Sequence, residues 1–278
     1  MTDFNLKITL PSGKDVRLSE ITNRVYFNIL KFCENQDYEG FNEYLQSIIF
    51  HDHGDIDIID RLYIMLYYRM LFVSENIVFT SDELQGKFKE VKYNIRTILE
   101  QIEQQYEDHS MVITEGDFVI TLGLPNTLFF KSVDDVYNTT IKNITYKNKT
   151  ISLHDASQQE RDTILSHLPH NIFLEIRTYV DNLASTLSNF ILIEENIEFN
   201  IQQHAINIIS NGLMMFICSL FGGGLSSFYV TMYNFISKLQ MDSSLFFSIT
   251  PVEMRILFNI QAEEAEEKNR QEQENNKR

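Results

Sequence analysis

The one short segment whose residue types could hold a metal ion is the run from His51 to Asp57, HDHGDID. It places two histidines and three aspartates close together, and imidazole nitrogens and carboxylate oxygens are ligands of Zn²⁺. Its spacing matches neither an EF-hand loop nor the helical His-Glu-x-x-His pattern. We therefore interpret the run as a polar loop between two helices, with Asp55 or Asp57 capping the second. A metal-dependent hydrolase built on His51, His53 and Asp55 stays as an alternative.

Other patterns typical of catalysis are missing from the sequence. Gly222-Gly223-Gly224 is not followed by the Lys-Ser/Thr pair of a phosphate-binding loop and does not have GxGxxG spacing. No GxSxG segment occurs, and Cys33 and Cys218 lie in no activated-cysteine context. Two cysteines can build neither a disulfide framework nor a Cys-rich zinc site, so we expect a reducing compartment. We predict no catalytic residues, no cofactor, no metal and no small-molecule substrate.

The charge of the chain argues against nucleic acid as a partner. Lys and Arg total 23 against 39 Asp and Glu, a formal net charge of -16, whereas affinity for phosphate depends on cationic side chains that displace counterions. The acidity is concentrated in residues 32–60, where eight acids occur without a Lys or Arg, and in residues 178–237, where four do. Such segments favour a contact surface or a buried helix.

Apolar periodicity predicts the elements that must position these residues. Alternation predicts an N-terminal hairpin over residues 4–10 and 14–18, a second strand pair over residues 111–124, and further alternation over residues 145–153. Apolar spacing of three or four predicts helices, which cover residues 19–32, 41–49, 56–72, 88–106, 133–144, 157–168 and 171–190.

The last helix has the clearest start signal. Thr250 supplies a capping hydroxyl, Pro251 suits the first helical position, and Glu253 completes a capping box. We predict that this helix buries Met254, Leu257, Phe258 and Ile260, and that residues 263–278 form a solvated helix or a disordered tail.

The most apolar region is the segment of residues 205–221, followed by three glycines and a second apolar stretch over residues 225–239. It is short for a membrane span, polar residues interrupt its first half, and the nearest bases, Arg177 and Lys238, are remote. These features favour a buried helical hairpin that turns at the glycines. A membrane-associated factor is the alternative.

Together these elements predict an α+β fold that is predominantly α-helical, with an N-terminal β-hairpin, a helical body, a small inserted β-containing unit, and a long C-terminal helix with a polar tail. The predicted divisions are an N-terminal hairpin plus helical region (1–110), the β-containing insert (111–155), a C-terminal helical region (156–262) and the charged tail (263–278).

The whole pattern resembles the baseplate hub subunit and hub assembly proteins of T-even-like contractile-tailed bacteriophages. Three pieces support this resemblance most specifically: the LPSGK turn before the first helix, the Asp60-Arg61-Leu62 to Arg69 helix, and the Thr250-Pro251-Val252-Glu253-Met254-Arg255 helix start. None of them is a catalytic motif. The resemblance implies a structural or assembly role in the tail baseplate hub of the virion, synthesis in the host cytoplasm, and other hub and tail proteins as partners. A chaperone or catalyst of hub assembly that does not stay in the virion is the alternative.

Recognition of protein partners depends on apolar and aromatic anchors, with charge selecting among partners. We therefore predict two partner surfaces, one around residues 34–60 and one around residues 216–235. The candidate contact residues are Asp52, Asp55, Asp57, Tyr38, Phe41, Tyr44, Phe228, Tyr229 and Tyr233. The alternative is that these aromatic side chains fill the protein's own core.

Overall fold

A computed structural model describes residues 5–50, 56–82, 88–147, 149–153, 156–190, 212–221 and 224–275. Its strands are β1 (Asn5–Thr9), β2 (Asp15–Ser19), β3 (Asn76–Asp82), β4 (Phe88–Asn94), β5 (Met111–Glu115), β6 (Phe118–Leu122), β7 (Ile141–Tyr146) and β8 (Lys149–Ser152). The first seven helices are α1 (Asn23–Asn35), α2 (Tyr38–Ile48), α3 (Ile58–Phe72), α4 (Ile95–Gln105), α5 (Val133–Thr140), α6 (Gln158–Ser166) and α7 (His170–Phe190). The last four are α8 (Gly212–Phe221), α9 (Leu225–Tyr233), which continues into a π-helical turn (Asn234–Lys238), α10 (Ser243–Ser248) and α11 (Pro251–Asn275). The predicted class, α+β and mainly helical, is confirmed.

The N-terminal hairpin forms as predicted. Strands β1 and β2 pair antiparallel from Asn5 opposite Ser19 to Thr9 opposite Asp15, and Gly13 adopts a positive φ of 81° in the turn, which suits a residue without a Cβ. Helix α1 begins at Asn23, later than the pattern from residue 19 indicated.

The predicted helix over residues 88–106 is wrong in its first half. Residues 88–94 form β4, which pairs antiparallel with β3 from Asn76 opposite Asn94 to Asp82 opposite Phe88. The helix starts only at Ile95, because the Asn94 side chain accepts a hydrogen bond from the Arg96 backbone N–H at 2.8 Å and caps it. Pairing with a strand that the periodicity did not reveal overrides the helical spacing of this segment.

The four-stranded sheet has the order β5-β6-β7-β8, with every pair antiparallel. The predicted helix over residues 133–144 ends at Thr140, because residues 141–146 pair with both β6 and β8. A row of isoleucines crosses the sheet at opposed positions: Ile113, Ile120, Ile144 and Ile151. The first three are at most 2% exposed and the last, on the edge strand, is 43% exposed.

Buried side chains from Ile8 to Phe246 form one hydrophobic cluster. Helix α3 lies at its centre, and most of its side chains are buried, including those of Asp60 and Arg61. The guanidinium of Arg61 lies 4.5 Å from the centroid of the Phe50 ring and donates to the Gln46 side chain at 2.8 Å. Burial lowers the pKa of Arg61 to about 10, so the group stays charged near neutral pH.

Helix α11 begins with the predicted capping box. The Glu253 backbone N–H donates to the Thr250 hydroxyl at 3.2 Å, and the Thr250 N–H donates to the Glu253 carboxylate at 2.7 Å. Arg255 then donates to the Val73 carbonyl at 2.9 Å. The predicted burial further along is wrong. Met254 is half-buried, and Leu257, Phe258 and Ile260 are 37%, 49% and 47% exposed, because α11 leaves the body of the protein after its first turn.

Candidate protein interface

The structure describes only part of the predicted acidic surface. Asp52 and Asp55, together with the candidate metal ligands His51 and His53, lie outside the described residues. Asp57 is described, and it caps α3 as one of the two predicted alternatives: its carboxylate accepts from the backbone N–H groups of Ile59 and Asp60, each at 2.9 Å.

The Tyr106 hydroxyl also donates to Asp57, at 2.9 Å. The carboxylate is therefore occupied by contacts within the fold, and a charge change at Asp57 would disturb α3 as well as any partner. Among the described residues, no group of three or more His, Cys, Asp or Glu side chains is placed to hold a metal ion.

The aromatic residues predicted on α2 lie against α1. Phe41 is fully buried and packs on Phe32 with ring centroids 6.1 Å apart, so its prediction as a surface contact is wrong. Tyr44 is half-buried, 5.4 Å from Phe32 between centroids, and its hydroxyl accepts from Asn28 at 3.2 Å. Tyr38 is also half-buried against the core. The alternative that these side chains fill the core applies to Phe41 in full and to the two tyrosines in part.

The aromatic residues predicted on α9 divide between core and surface. Phe228 is 4% exposed, and its ring centroid lies 5.2 Å from that of Phe27 and 5.7 Å from that of Phe246, so its prediction as a surface contact is also wrong. In contrast, Tyr229 and Tyr233 are 45% and 63% exposed. The alternation of buried and exposed aromatics along one helix could not be read from composition alone.

An aromatic surface extends from α9 onto α1 and α10. We use this name for Phe27, Tyr229, Val230, Tyr233 and Phe247. Phe27 meets Tyr229 edge-on at 5.5 Å between centroids and packs on Phe247 at 6.0 Å. Val230, one residue after Tyr229, is 62% exposed.

Two cations border this aromatic surface. The Arg24 guanidinium lies 5.6 Å from the centroid of the Phe247 ring, and the Lys31 ammonium lies 5.2 Å from that of Phe27. Both residues are on α1, and cation–π contacts of this kind hold long side chains over the rings. The positive charge here contrasts with the acidic surface that the sequence suggested.

A second exposed apolar set encircles the base of α11. We call it the apolar collar: Ile256, Leu257, Phe258 and Ile260. The last three of these had been predicted to be buried. In a helix these four positions point in several directions around the axis, so one partner surface that covered all of them would have to enclose the helix on more than one side. The feature of the sequence that marks this set is a run of closely spaced apolar residues directly before the charged tail.

The segment of residues 212–238, which includes α8 and α9, is long and apolar enough to cross a membrane, judged by length and composition only. In the structure 44% of the residues in its most apolar window are buried. The core helix of a soluble protein can be equally long and apolar. Eight of the ten α8 residues are buried, against α1 and α3.

A groove of about 680 Å³ lies between α2, α5 and β7. Three of its charged side chains have partners: Lys131 pairs with Glu39, and the Lys142 ammonium donates to the carbonyls of Leu124 and Thr139 at 2.7 and 2.9 Å. Burial lowers the pKa of Lys142. These contacts hold β7 to the preceding loop and to α5.

Comparison with known proteins identifies the family. No curated protein and no solved structure matches the chain significantly. A family model described as T4 bacteriophage base plate protein matches residues 1–191, which covers the N-terminal hairpin, the four-stranded sheet and α1 to α7. The matched region includes the LPSGK turn and the Asp60-to-Arg69 helix, two of the three pieces on which the resemblance was based. The chain therefore belongs to the family of T4 bacteriophage base plate proteins.

Proposed function

We propose that the protein is a structural or assembly component of the hub of a phage tail baseplate and that it acts by protein–protein contacts, not by catalysis. The family supports this proposal together with two groups of exposed apolar side chains: Tyr229, Val230 and Tyr233 of the aromatic surface, and the apolar collar. Soluble monomers seldom expose contiguous apolar patches without a partner, and aromatic side chains are frequent anchors of interfaces.

The partners proposed are other baseplate and tail proteins. Tyr233, at 63% exposure, and Tyr229 would supply large rigid contact areas with little conformational entropy to lose, since each has only two side-chain torsions. Arg24 and Lys31 would select carboxylates at the rim of the complex.

The protein's place in the virion can be tested on purified phage particles. Quantitative mass spectrometry of particles, normalised to a tail tube protein, should find this chain at a constant ratio. Its presence only in infected-cell lysate would instead support the assembly factor that leaves before the particle is complete, and would overturn residence in the virion.

The contact surface can be tested with two matched valines. Val230 on α9 and Val112 on β5 are 62% and 60% exposed, so Val230→Ser and Val112→Ser remove similar apolar area from the surface. We expect Val230→Ser combined with Tyr233→Ser to lower recovery of baseplate proteins in a pull-down from infected cells at least ~10-fold, because loss of two anchors costs over about 1.4 kcal/mol of binding. Val112→Ser should leave recovery unchanged. Equal recovery with both variants would exclude the aromatic surface as the contact.

A further inference from the structure

Two members of the apolar collar continue into acidic residues along one face of α11. Ile256, Ile260, Glu263 and Glu267 follow one another at spacings of four, three and four, which places them in a single row on a helix. We call this row the α11 stripe. All four side chains are exposed. The stripe is therefore apolar near the body of the protein and anionic further out.

The aromatic surface has the complementary character. Arg24, Phe27 and Lys31 follow the same kind of spacing along α1, so that a ring lies between two exposed cations. On the neighbouring α9, Tyr229 and Tyr233 are one turn apart and exposed. The helix α9, its π-helical turn and α10 contain no Asp or Glu, and α1 contains a single acid at its C-terminal end. This surface is an apolar patch with a positive border.

Neither surface is covered within one chain. At the start of α11, Met254 packs against the core and Arg255 donates to the Val73 carbonyl at 2.9 Å, which anchors the helix at the end of α3. Within the described part of the chain, neither Glu263 nor Glu267 forms an ion pair. The α11 stripe is therefore open to another molecule.

We propose that a second copy of this chain is a partner of both surfaces: the α11 stripe of one copy docks on the aromatic surface of the next. Its two isoleucines meet the tyrosines of α9, and its two glutamates meet the cations of α1. Charge complementarity argues for this occupant, because apolar contact alone does not select a partner, whereas like charges that face each other are rejected. The proposal rests on the proposed function, since it names one partner for the contact surfaces described there.

The two rows match in extent. At 1.5 Å per residue, Glu263 and Glu267 are about 6 Å apart along α11, and Arg24 and Lys31 are about 10 Å apart along α1. The long side chains of Arg and Lys are able to bridge this difference. Because the contact joins two different surfaces, every copy gives one contact and receives one, as in a reciprocal dimer or a ring.

The association state of the purified full-length protein, produced without other phage proteins, provides the test. Size-exclusion chromatography with light scattering should find the wild-type protein larger than one chain of 32.7 kDa, and higher salt should dissociate it because salt screens the charge pairs. Arg24→Glu with Lys31→Glu, and separately Glu263→Lys with Glu267→Lys, should each weaken association at least ~10-fold, because like charges then face each other.

An equimolar mixture of the two double variants distinguishes a direct contact from a general effect of charge. In the mixture, the reversed stripe of one variant meets the reversed surface of the other, and the two original surfaces also meet. Both contacts again join opposite charges, so the mixture should associate as the wild-type protein does, with a 1:1 ratio in native mass spectrometry. Restored association also shows that both variants are folded. If each variant has the circular dichroism spectrum of the wild-type protein and the mixture stays monomeric, the proposal is overturned.

Lys7→Glu with Arg177→Glu is the matched control. These side chains are 67% and 73% exposed on β1 and α7, and the pair changes the net charge by the same amount as reversal of the two α1 cations. This control should associate as the wild-type protein does. A wild-type protein that is monomeric at low salt, or that associates equally well in every variant, excludes the second copy as the occupant.

Failure of this proposal differs from failure of the proposed function. A monomeric wild-type protein that still recovers baseplate proteins from infected cells overturns the second copy as the partner and leaves the proposed function in place, with another baseplate protein on these surfaces. A wild-type protein that associates with itself through the two surfaces and recovers no other baseplate protein supports the second copy and contradicts the proposed function.

Discussion

Asp60, buried in α3, accepts two hydrogen bonds from Ser12 in the turn of the N-terminal hairpin. The Ser12 hydroxyl donates at 2.6 Å and its backbone N–H at 3.2 Å. Asp60 has no exposed surface, and burial, with a further contribution from the charge of Asp57, raises its pKa to about 6 despite these bonds. The hairpin is thus attached to the central helix by a carboxyl group that titrates near neutral pH.

The stability of the protein should depend on the protonation of Asp60. A carboxyl whose pKa is higher in the folded than in the unfolded chain contributes stability that is fully present below the unfolded pKa of 3.8 and is lost as pH rises through about 6. We expect the free energy of unfolding to fall by ~1.4 kcal/mol between pH 5 and pH 8 from this group alone. Asp60→Asn, which cannot ionise, should remove that part of the dependence of the free energy of unfolding on pH. Urea melts at pH 5 and pH 8 measure this dependence.

The control for this prediction is Asp181→Asn. Asp181 is exposed on α7, with 71% of its side chain accessible. Asp181→Asn should therefore show the same dependence of the free energy of unfolding on pH as the wild-type protein. If the free energy of unfolding of Asp60→Asn changes with pH as much as that of the wild-type protein, the buried carboxyl is not the titrating group.

The capping box of α11 should contribute to stability although the helix projects into solvent. Thr250 is 4% exposed and its hydroxyl accepts the Glu253 N–H at 3.2 Å. Thr250→Ala leaves that N–H without a partner and should lower the free energy of unfolding by ~1 kcal/mol. Thr250→Ser keeps the hydroxyl and should restore most of the loss. Equal destabilisation by Ala and Ser in denaturant melts would attribute the effect to the methyl group.

Arg69 should hold α8 on the body. It is buried in α3, and its guanidinium donates to the carbonyls of Leu220, Ser74 and Asn76. Arg69→Leu would leave three acceptors without this donor, and we expect a loss of ~3 kcal/mol in the free energy of unfolding.

The distinguishing measurement for Arg69 is hydrogen exchange. The α8 amides should lose protection in Arg69→Leu more than the amides of α4, which Arg69 does not contact through these bonds. Arg69→Lys keeps the charge but has fewer donors. Its α8 amides should be less protected than those of wild type and more protected than those of Arg69→Leu. Uniform loss of protection across both helices would show that Arg69 supports the whole core and not α8 in particular.

The apolar collar should matter for partners and hardly at all for folding. Ile256 is 51% exposed on α11 and Leu174 is 50% exposed on α7, so Ile256→Ser and Leu174→Ser remove comparable area from two helices. Each should change the free energy of unfolding by only ~0.5 kcal/mol. Recovery of baseplate proteins from infected cells should fall for Ile256→Ser only. A Tm that drops sharply for Ile256→Ser would show that the collar packs on the protein itself.

The sequence by itself determined the features that depend on neighbours a few residues apart. The hairpin turn at Pro11-Ser12-Gly13 and the capping box at Thr250 form as expected, because both partners of each bond lie within one turn of chain. The baseplate family could also be recognised, since its pattern of elements and short segments is local.

Tertiary structure decided the rest, because burial depends on what the distant chain supplies. Residues 88–94 became a strand through pairing with β3. Phe41 and Phe228 entered the core while Tyr233, on the same helix as Phe228, stayed exposed. Leu257 and Phe258 remained on the surface because no described element of the fold reaches them. Apolar side chains with the same local spacing can therefore form a core or a contact surface, and only the packing of the other helices distinguishes the two.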